Sequence, residues 1–399
     1  MYCFPFFPAL KRLGGRELPD YLNTRVKELF DSNLKLLMPN GLQPTFDCDW
    51  MQGLQWHDLL AYLYPNGGEH LWYYERVRAN KFEVGLYPAR PELNVVFFSD
   101  AVKPTEPAWT TQFLPGSGVA VFRENWSYDA DYLLLLAENL PAVSSHENPD
   151  QTSFLIHAKG AYLAIDPGDG RDYGGWDSKD RLWIYSAKAH NLVIVDDKDS
   201  PTTAGDPVRD PARLGSHLST DFLDYAEAML TYSDVGVDTT RSVLFPHKAY
   251  FVVADDLRSA AEHRYDWQIH FGDASKGTLK ASADRACWQV PNDSGEQVEL
   301  AVVFAAPDPI EITQHTGPTN HLSHGTRTFE HAYAKATSRG RNVQYLAVLY
   351  PRKLTEPAPK MERLSEDGVL GASIEVTGRT DYVSLRGGIG PAKGSAGEL

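Results

Sequence analysis

The chain is poor in cysteine and in positive charge, and it has no long apolar run. Three cysteines in 399 residues, Cys3, Cys48 and Cys287, are too few and too far apart for a disulfide framework or a paired-cysteine zinc site. Cysteine usage therefore leaves the redox compartment open. Lys and Arg number 38 against 53 Asp and Glu, for a formal net charge of -15. Nucleic acid and anionic membranes are held by clustered cations that replace counterions, so neither is expected as the main partner. A local cationic pocket for an acidic substrate is compatible with that balance. No apolar stretch reaches the length of a membrane-spanning helix. Met1 to Leu10 is apolar, yet no basic segment precedes it and no small-residue cleavage site follows, so it reads poorly as a signal peptide. A periplasmic or secreted form takes its signal from further upstream; otherwise the expected compartment is cytoplasmic. There is also no phosphate loop, no GxGxxG after a strand and no GxSxG elbow, which weighs against nucleotide enzymes and serine hydrolases.

What is present is an ordinary globular composition, 42% hydrophobic and 23% charged, in a chain long enough for two or more domains. From Pro19 to Met38 the positions Leu22, Val26, Leu29, Phe30, Leu34 and Leu37 recur at the helical period, and Pro39-Asn40-Gly41 supplies a stop. A second helix is expected from Asp47 or Asp49 through Tyr64, and a third from Glu69 to about Arg78. After Asp100 the texture changes to short β-branched and aromatic runs broken by Gly, Pro and Asp. Strands are expected at Val119 to Arg123, Tyr132 to Ala137, Ser153 to Ala158, Ala161 to Asp166 and Asn191 to Asp196. Others are expected at Arg241 to Phe245, Tyr250 to Asp255, Tyr265 to Phe271, Val298 to Phe304 and Val343 to Tyr350. The expected class is α+β multidomain: helices over residues 1–105, a large antiparallel β-sandwich over 106–386, and a Gly-rich tail over 387–399.

Chemistry concentrates between His146 and Asp196. His146-Glu147-Asn148-Pro149-Asp150 resembles a metalloprotease HExxH only superficially, because Asp150 replaces the second histidine and Pro149 breaks the required helix. Asp166 and His190 are good zinc ligands by type, Asn148 is a weak one, and Asn191 is placed to orient His190. The alternative is that Asp166-Pro167-Gly168 is only a turn and His190 a satisfied strand-edge residue. The loop from Asp169 to Trp176 offers Arg171 for a carboxylate, and Tyr173 and Trp176 for stacking on a sugar ring, or else it merely covers a sheet edge. His157 and His270 fall within strand patterns and read as packed or solvent-facing. His315, His321, His324 and His331 read as members of a solvated loop.

These residues resemble the heparinase II/III-like polysaccharide lyase superfamily, which includes heparin, heparan, alginate and oligoalginate lyases. The family run His-x-His-x-Asp-x-x-Ser-Phe is similar to His146 through Phe154. Its strand ending in a metal-binding Asp is similar to the segment closing on Asp166-Pro167-Gly168, and its Ala-His-Asn run to Ala189-His190-Asn191-Leu192. The match covers about residues 110 to 260, and Met38 to Pro44 is similar to a turn in the last helices of the family's (α/α) toroid. The resemblance implies a partial toroid followed by a β-sandwich, and β-elimination on a uronate-containing polysaccharide or oligosaccharide. It implies His146 and Tyr173 as catalytic residues, Asn148, Arg171 and Trp176 as substrate contacts, and Asp166 and His190 as ligands of a zinc ion. Two departures stand out: Asn148 occupies the position of a zinc-binding histidine, and residues 1–100 hold no match to the toroid's Asn-His pair or its tyrosine. The implied partner is an acidic glycan, with a homodimer left open. The alternative is an acidic-glycan-binding or truncated lyase fragment without the toroid's catalytic residues.

Overall fold

A computed structural model describes residues 27–46, 67–78, 102–138, 148–168, 179–198, 211–305, 310–321, 329–366, 369–376 and 378–386. Two helices come first, α1 (Lys27–Leu36) and α2 (Gly67–Arg78). The helix expected between Asp47 and Tyr64 and the tail from Gly387 lie outside the described residues. Helix α1 stops where the sequence says it should. The Gly41 N–H donates to the Met38 carbonyl over 2.9 Å, and Gly41 takes a left-handed φ of 80° that a side chain disfavours. Leu34 and Leu37 pack with Tyr73, Tyr74, Val77 and Trp126, and Phe30 is buried too, so the helical stripe read from the sequence faces a real partner.

Strands β1 (Gln112–Leu114), β2 (Val119–Arg123), β3 (Tyr132–Leu136), β4 (Phe154–Ala158) and β5 (Ala161–Ala164) form an antiparallel sheet in chain order. β2, β3 and β4 are buried along their whole length, as continuous apolar runs such as Tyr132-Leu133-Leu134-Leu135-Leu136 require. One face packs on Met38, Leu42 and the end of α1, and the other enters the main core. Arg123 locks the helical layer to this sheet. Its guanidinium donates to the Leu37 carbonyl over 2.6 Å and lies 3.8 Å from the centre of the Trp126 ring.

A second, 10-stranded sheet supplies the opposite wall. Its strands are β6 (Val193–Val195), β7 (Arg213–Ser219), β8 (Leu223–Tyr232), β9 (Val237–Pro246), β10 (Phe251–Asp273), β11 (Thr278–Ala281), β12 (Arg285–Pro291), β13 (Gln297–Ala305), β14 (Glu311–Thr319) and β15 (Phe329–Lys353). They run in the order β11-β12-β13-β15-β10-β9-β8-β7, with β14 on β15 and β6 on β10. A third sheet of β16 (Lys360–Glu366), β17 (Val369–Val376) and β18 (Arg379–Arg386) covers the outer face through Leu370, Ala372 and Ile374. The result is a mostly antiparallel β-sandwich with few helices among the described residues.

The structure revises three readings. Tyr250 to Asp255 and Tyr265 to Phe271 fall on one 23-residue strand, β10 (Phe251–Asp273), whose middle, Ala260-Ala261-Glu262, is exposed beside a register shift between Arg258 and His263. Val343 to Tyr350 is the end of a 25-residue strand, β15, that starts at Phe329. The stretch holding His315, His321 and His331 is not a solvated loop. His315 lies exposed on β14, while His321 and His331 are buried, and His324 lies outside the described residues.

Candidate active site

Three segments meet at one end of the sandwich. Asp150 lies in the turn entering β4, Asp166 follows β5, and His190 precedes β6 on a short segment after helix α3 (Lys179–Ile184). Their ligand atoms all lie within 4.8 Å of one another, and all three side chains are buried. His190 Nδ1 stands 2.7 Å from Asp166 Oδ2. The other imidazole nitrogen, Nε2, has no hydrogen-bond partner among the described residues.

Asn191 sets this convergence. Its amide donates to the Phe154 and Ile165 carbonyls over 2.6 and 2.9 Å, and its side-chain oxygen accepts the His270 backbone N–H at 2.6 Å. One carboxamide thus staples the ends of β4 and β5 to β10 across the two sheets, and fixes the backbone carrying His190. The sequence suggested that Asn191 orients the His190 ring; its bonds go to backbone instead.

Arg241 performs the same service from beneath. Fully buried on β9, it makes a bidentate pair with Asp255 at 2.8 and 3.0 Å and donates to the Thr152 and Asn191 carbonyls. The Trp267 indole N–H donates to the same Asp255 over 2.8 Å. The Thr152 contact matters because the chain turns at Asp150-Gln151-Thr152-Ser153, closed by Ser153 N–H to the Asp150 carbonyl at 2.8 Å, with Thr152 at a φ of 75°. A β-branched residue resists that conformation, at a cost of about 1–3 kcal/mol, so the turn needs outside support.

The Asp166-Pro167-Gly168 turn is gripped in turn by the end of β14. Thr319 Oγ donates to the Pro167 carbonyl at 3.2 Å, and His321 Nδ1 lies 3.0 Å from the Asp166 carbonyl. Asn148 donates its amide to the Gly168 carbonyl at 3.2 Å, and the Gly168 N–H donates to Asp166 Oδ1 at 3.2 Å. Next to His190, His270 Nδ1 and His331 Nε2 stand 2.8 Å apart, with the Trp183 ring against both. Burial pushes His331 down to about 3 and His321 down to about 4, and it holds His270 well below the usual imidazole range, so all three are neutral at pH 7.

Of the residues nominated from sequence, the structure brings Asp166 and His190 together and sets Asn148 beside their turn. His146, Arg171, Tyr173 and Trp176 lie outside the described residues. Sequence reading missed Asp150 as a third donor, although it stands inside the motif run. It also missed Arg241, Thr319, His270, His321 and His331, which come from strands remote in sequence. The donor set, two carboxylates and an imidazole with a nitrogen to spare, suits a divalent cation by chemical type.

Residues 106–341, more than half of the chain, match the model of the heparinase II/III-like C-terminal family. The chain belongs to that family. A heparin-sulfate lyase of Pedobacter heparinus is 27% identical over 191 residues, which is 47% of this chain and 26% of that protein. Among solved structures, heparan sulfate lyase HepC from Pedobacter heparinus superposes with a TM-score of 0.76 at 17% identity, over 96% of this chain and 56% of that one. The heparinase III BT4657 gene product gives 0.72 at 17% identity, over 92% of this chain and 53% of that one. These similarities show the same fold, and the chain spans about half the length of the solved relatives.

Proposed function

We propose that this heparinase-like chain is a carbon–oxygen lyase that cleaves a uronate-containing acidic glycan by β-elimination, with a heparin or heparan sulfate type of substrate favoured by the named relatives. The observation that carries the reading is the buried Asp150, Asp166 and His190 cluster, placed at the end of the motif run that opens with His146. Family membership supports it as well. Helices α1 and α2 are read as the end of an (α/α) toroid.

In β-elimination the C5 proton of the uronate is removed and the 4-O-linked sugar departs, which leaves an unsaturated uronate at the new non-reducing end. The carboxylate must be neutralised so that charge can build at C5, and a base and an acid must flank the ring. His146 is assigned the sandwich-side proton transfer, with Tyr173 as its catalytic partner. Arg171 is assigned to the uronate carboxylate, Trp176 to the ring face and Asn148 to a polar contact with the substrate. A zinc ion held by Asp166 and His190 supplies, when bound, fixed positive charge at this end of the sandwich. The chain's own contribution is rigidity: Asn191 bonds the Phe154 and Ile165 carbonyls and Arg241 the Thr152 and Asn191 carbonyls, which steadies the backbone beside Asp150, Asp166 and His190.

The test is absorbance at about 235 nm, the signal of the unsaturated product, during incubation with heparan sulfate, heparin, hyaluronan, alginate and oligouronates. A rise is expected for at least one substrate, abolished in His146→Ala and in His190→Ala with folding intact. Unchanged turnover in both variants removes the site assignment. The second reading, a module that binds acidic glycan without cleaving it, draws on the span of about half the solved relatives. It is selected by saturable glycan binding with no absorbance change.

A further inference from the structure

A second cluster of reactive groups lies on the exposed middle of β10, at the far end of β6 from His190. We infer that Ser259, His263 and Asp196 form a hydrolytic triad that cleaves short acyl esters, with Ser259 as the nucleophile. Ser259 Oγ stands 3.1 Å from His263 Nε2, and His263 Nδ1 stands 2.7 Å from Asp196 Oδ2. An ionised carboxylate only accepts, so the ring proton sits on Nδ1 and Nε2 is left bare to take the Ser259 hydroxyl proton. The Ala261 N–H donates to Ser259 Oγ over 3.2 Å, which leaves the hydroxyl's own proton for the imidazole. The sequence has no GxSxG elbow, but such triads arise on unrelated folds and are recognised by geometry and role.

The backbone is shaped to hold these groups. Asp196 and Asp197 follow β6 with left-handed φ values of 53° and 56°, two consecutive positions that side chains disfavour, and this turn presents the Asp196 carboxylate to β10. There Oδ1 accepts the Arg264 N–H at 3.0 Å while Oδ2 takes His263, so both oxygens are fixed. The bonds from His263 and from the Arg264 N–H hold this carboxyl below the usual carboxylate range, so it is ionised at pH 7. His263 is buried, whereas Ser259 is half-buried and Ala260, Ala261 and Glu262 beside it are exposed, so the hydroxyl can be reached from solvent. Residues 260–262 have no partner in the β9 or the β15 register, which leaves the Ala260 and Glu262 N–H groups outside both ladders as donors for an oxyanion. The methyl side chains of Ala260 and Ala261 leave room for a short acyl chain such as acetyl. In the reaction Ser259 Oγ bonds to the carbonyl carbon as its proton passes to His263 Nε2; the ester C–O bond then breaks and the alcohol leaves with that proton. Water attacks the acyl-serine next and gives a proton to His263, and the carboxylic acid departs as Ser259 regains its own.

The whole chain is assayed with p-nitrophenyl acetate and labelled with a fluorophosphonate, the adduct being mapped by peptide mass spectrometry. An adduct on Ser259 is expected, together with p-nitrophenolate release that Ser259→Ala and His263→Gln each lower by about 100-fold. Asp196→Asn is expected to lower the release too, because an amide can hold the other imidazole tautomer. A network that only closes the bulge leaves Ser259 no more reactive than any exposed serine, so a wild-type chain without an adduct on Ser259 overturns the inference. So does ester hydrolysis by Ser259→Ala at the wild-type rate, or labelling of Ser259 undiminished in His263→Gln. If His263→Gln does not fold, the wild-type adduct and Ser259→Ala, which removes one oxygen from a half-buried position, decide alone. Lyase turnover plays no part in the test, so the failure of either reading leaves the other standing.

Discussion

Replacing Arg241 by Met tests how the site is held. The substitution keeps most of the apolar stem but removes the bidentate pair with Asp255 and the donors to the Thr152 and Asn191 carbonyls. Asp255 keeps the Trp267 indole N–H but loses its counter-charge in a fully buried position. Breaking one partner of such a pair costs about 3–5 kcal/mol, because the remaining charge has no compensation. For a domain of this size that loss lowers Tm by roughly 6–20 °C. A second substitution, Asp255→Asn, in the same chain removes the stranded charge while leaving an oxygen for Trp267. The double variant is expected to recover about 2 kcal/mol relative to Arg241→Met, with the carbonyl losses left in place. Urea unfolding of wild type, both single variants and the double variant at pH 7 measures this cycle. The reasoning is refuted if Arg241→Met loses less than about 1 kcal/mol, or if the double variant is no more stable than Arg241→Met.

Two further outcomes follow from buried groups. Asn191→Leu leaves the Phe154 and Ile165 carbonyls and the His270 N–H without their partner, at about 1–3 kcal/mol for each buried group. The expected result is a cooperative but much weakened fold by urea titration, and near-wild-type stability disproves the stapling role. Acid sensitivity is predicted at His157, which is fully buried, has no hydrogen-bond partner on either ring nitrogen among the described residues, and is pushed by burial down to about 3. Because its pKa is depressed in the fold, its contribution is intact above the unfolded value of 6.5 and is lost as pH falls from there toward 3. At pH 5 the unfolded chain gains about 2 kcal/mol from protonating this ring, so His157→Phe is expected to flatten the stability profile between pH 7 and 5 by that amount. A profile parallel to wild type disproves it.

Helix α1 and its stop were legible because their causes are local: an apolar period, then Pro39-Asn40-Gly41. The ten expected strands all fall on observed strands for the same reason, whereas β1, β7, β8, β11, β12, β14 and β16 to β18 were not named from the sequence. The continuity of β10 was not, since Ala260, Ala261 and Glu262 carry no β-branched or aromatic signal and lie exposed where the strand shifts register, and a local pattern cannot show that pairing resumes beyond them. The site divides along the same line. Asp166 and His190 could be named from the motif and from ligand chemistry. Arg241 gave no signal, because nothing local in the sequence tells a guanidinium buried against Asp255 from one in solvent. His331 was misread for a related reason: the stretch leading to it, Ser323 to Thr328, is polar, and only its pairing partners on β10 and β14 show that it belongs to a strand in the sheet.

The two long central strands also bear on how the chain is made. Val252 pairs with Leu244 a few residues before it, but also with Val348, almost a hundred positions later. The hairpins of β7, β8 and β9 with the near half of β10 can form while the chain is still emerging from the ribosome. The other edge of β10 cannot begin to pair before His331 and is not fully paired until residue 349 has been synthesised. Topologies so rich in distant contacts fold slowly, and an open apolar strand edge invites pairing with other chains. Aggregation of chains truncated before Phe329, and a need for chaperones during expression, are therefore the expected consequences of this sheet order itself, independent of the chemistry at its end.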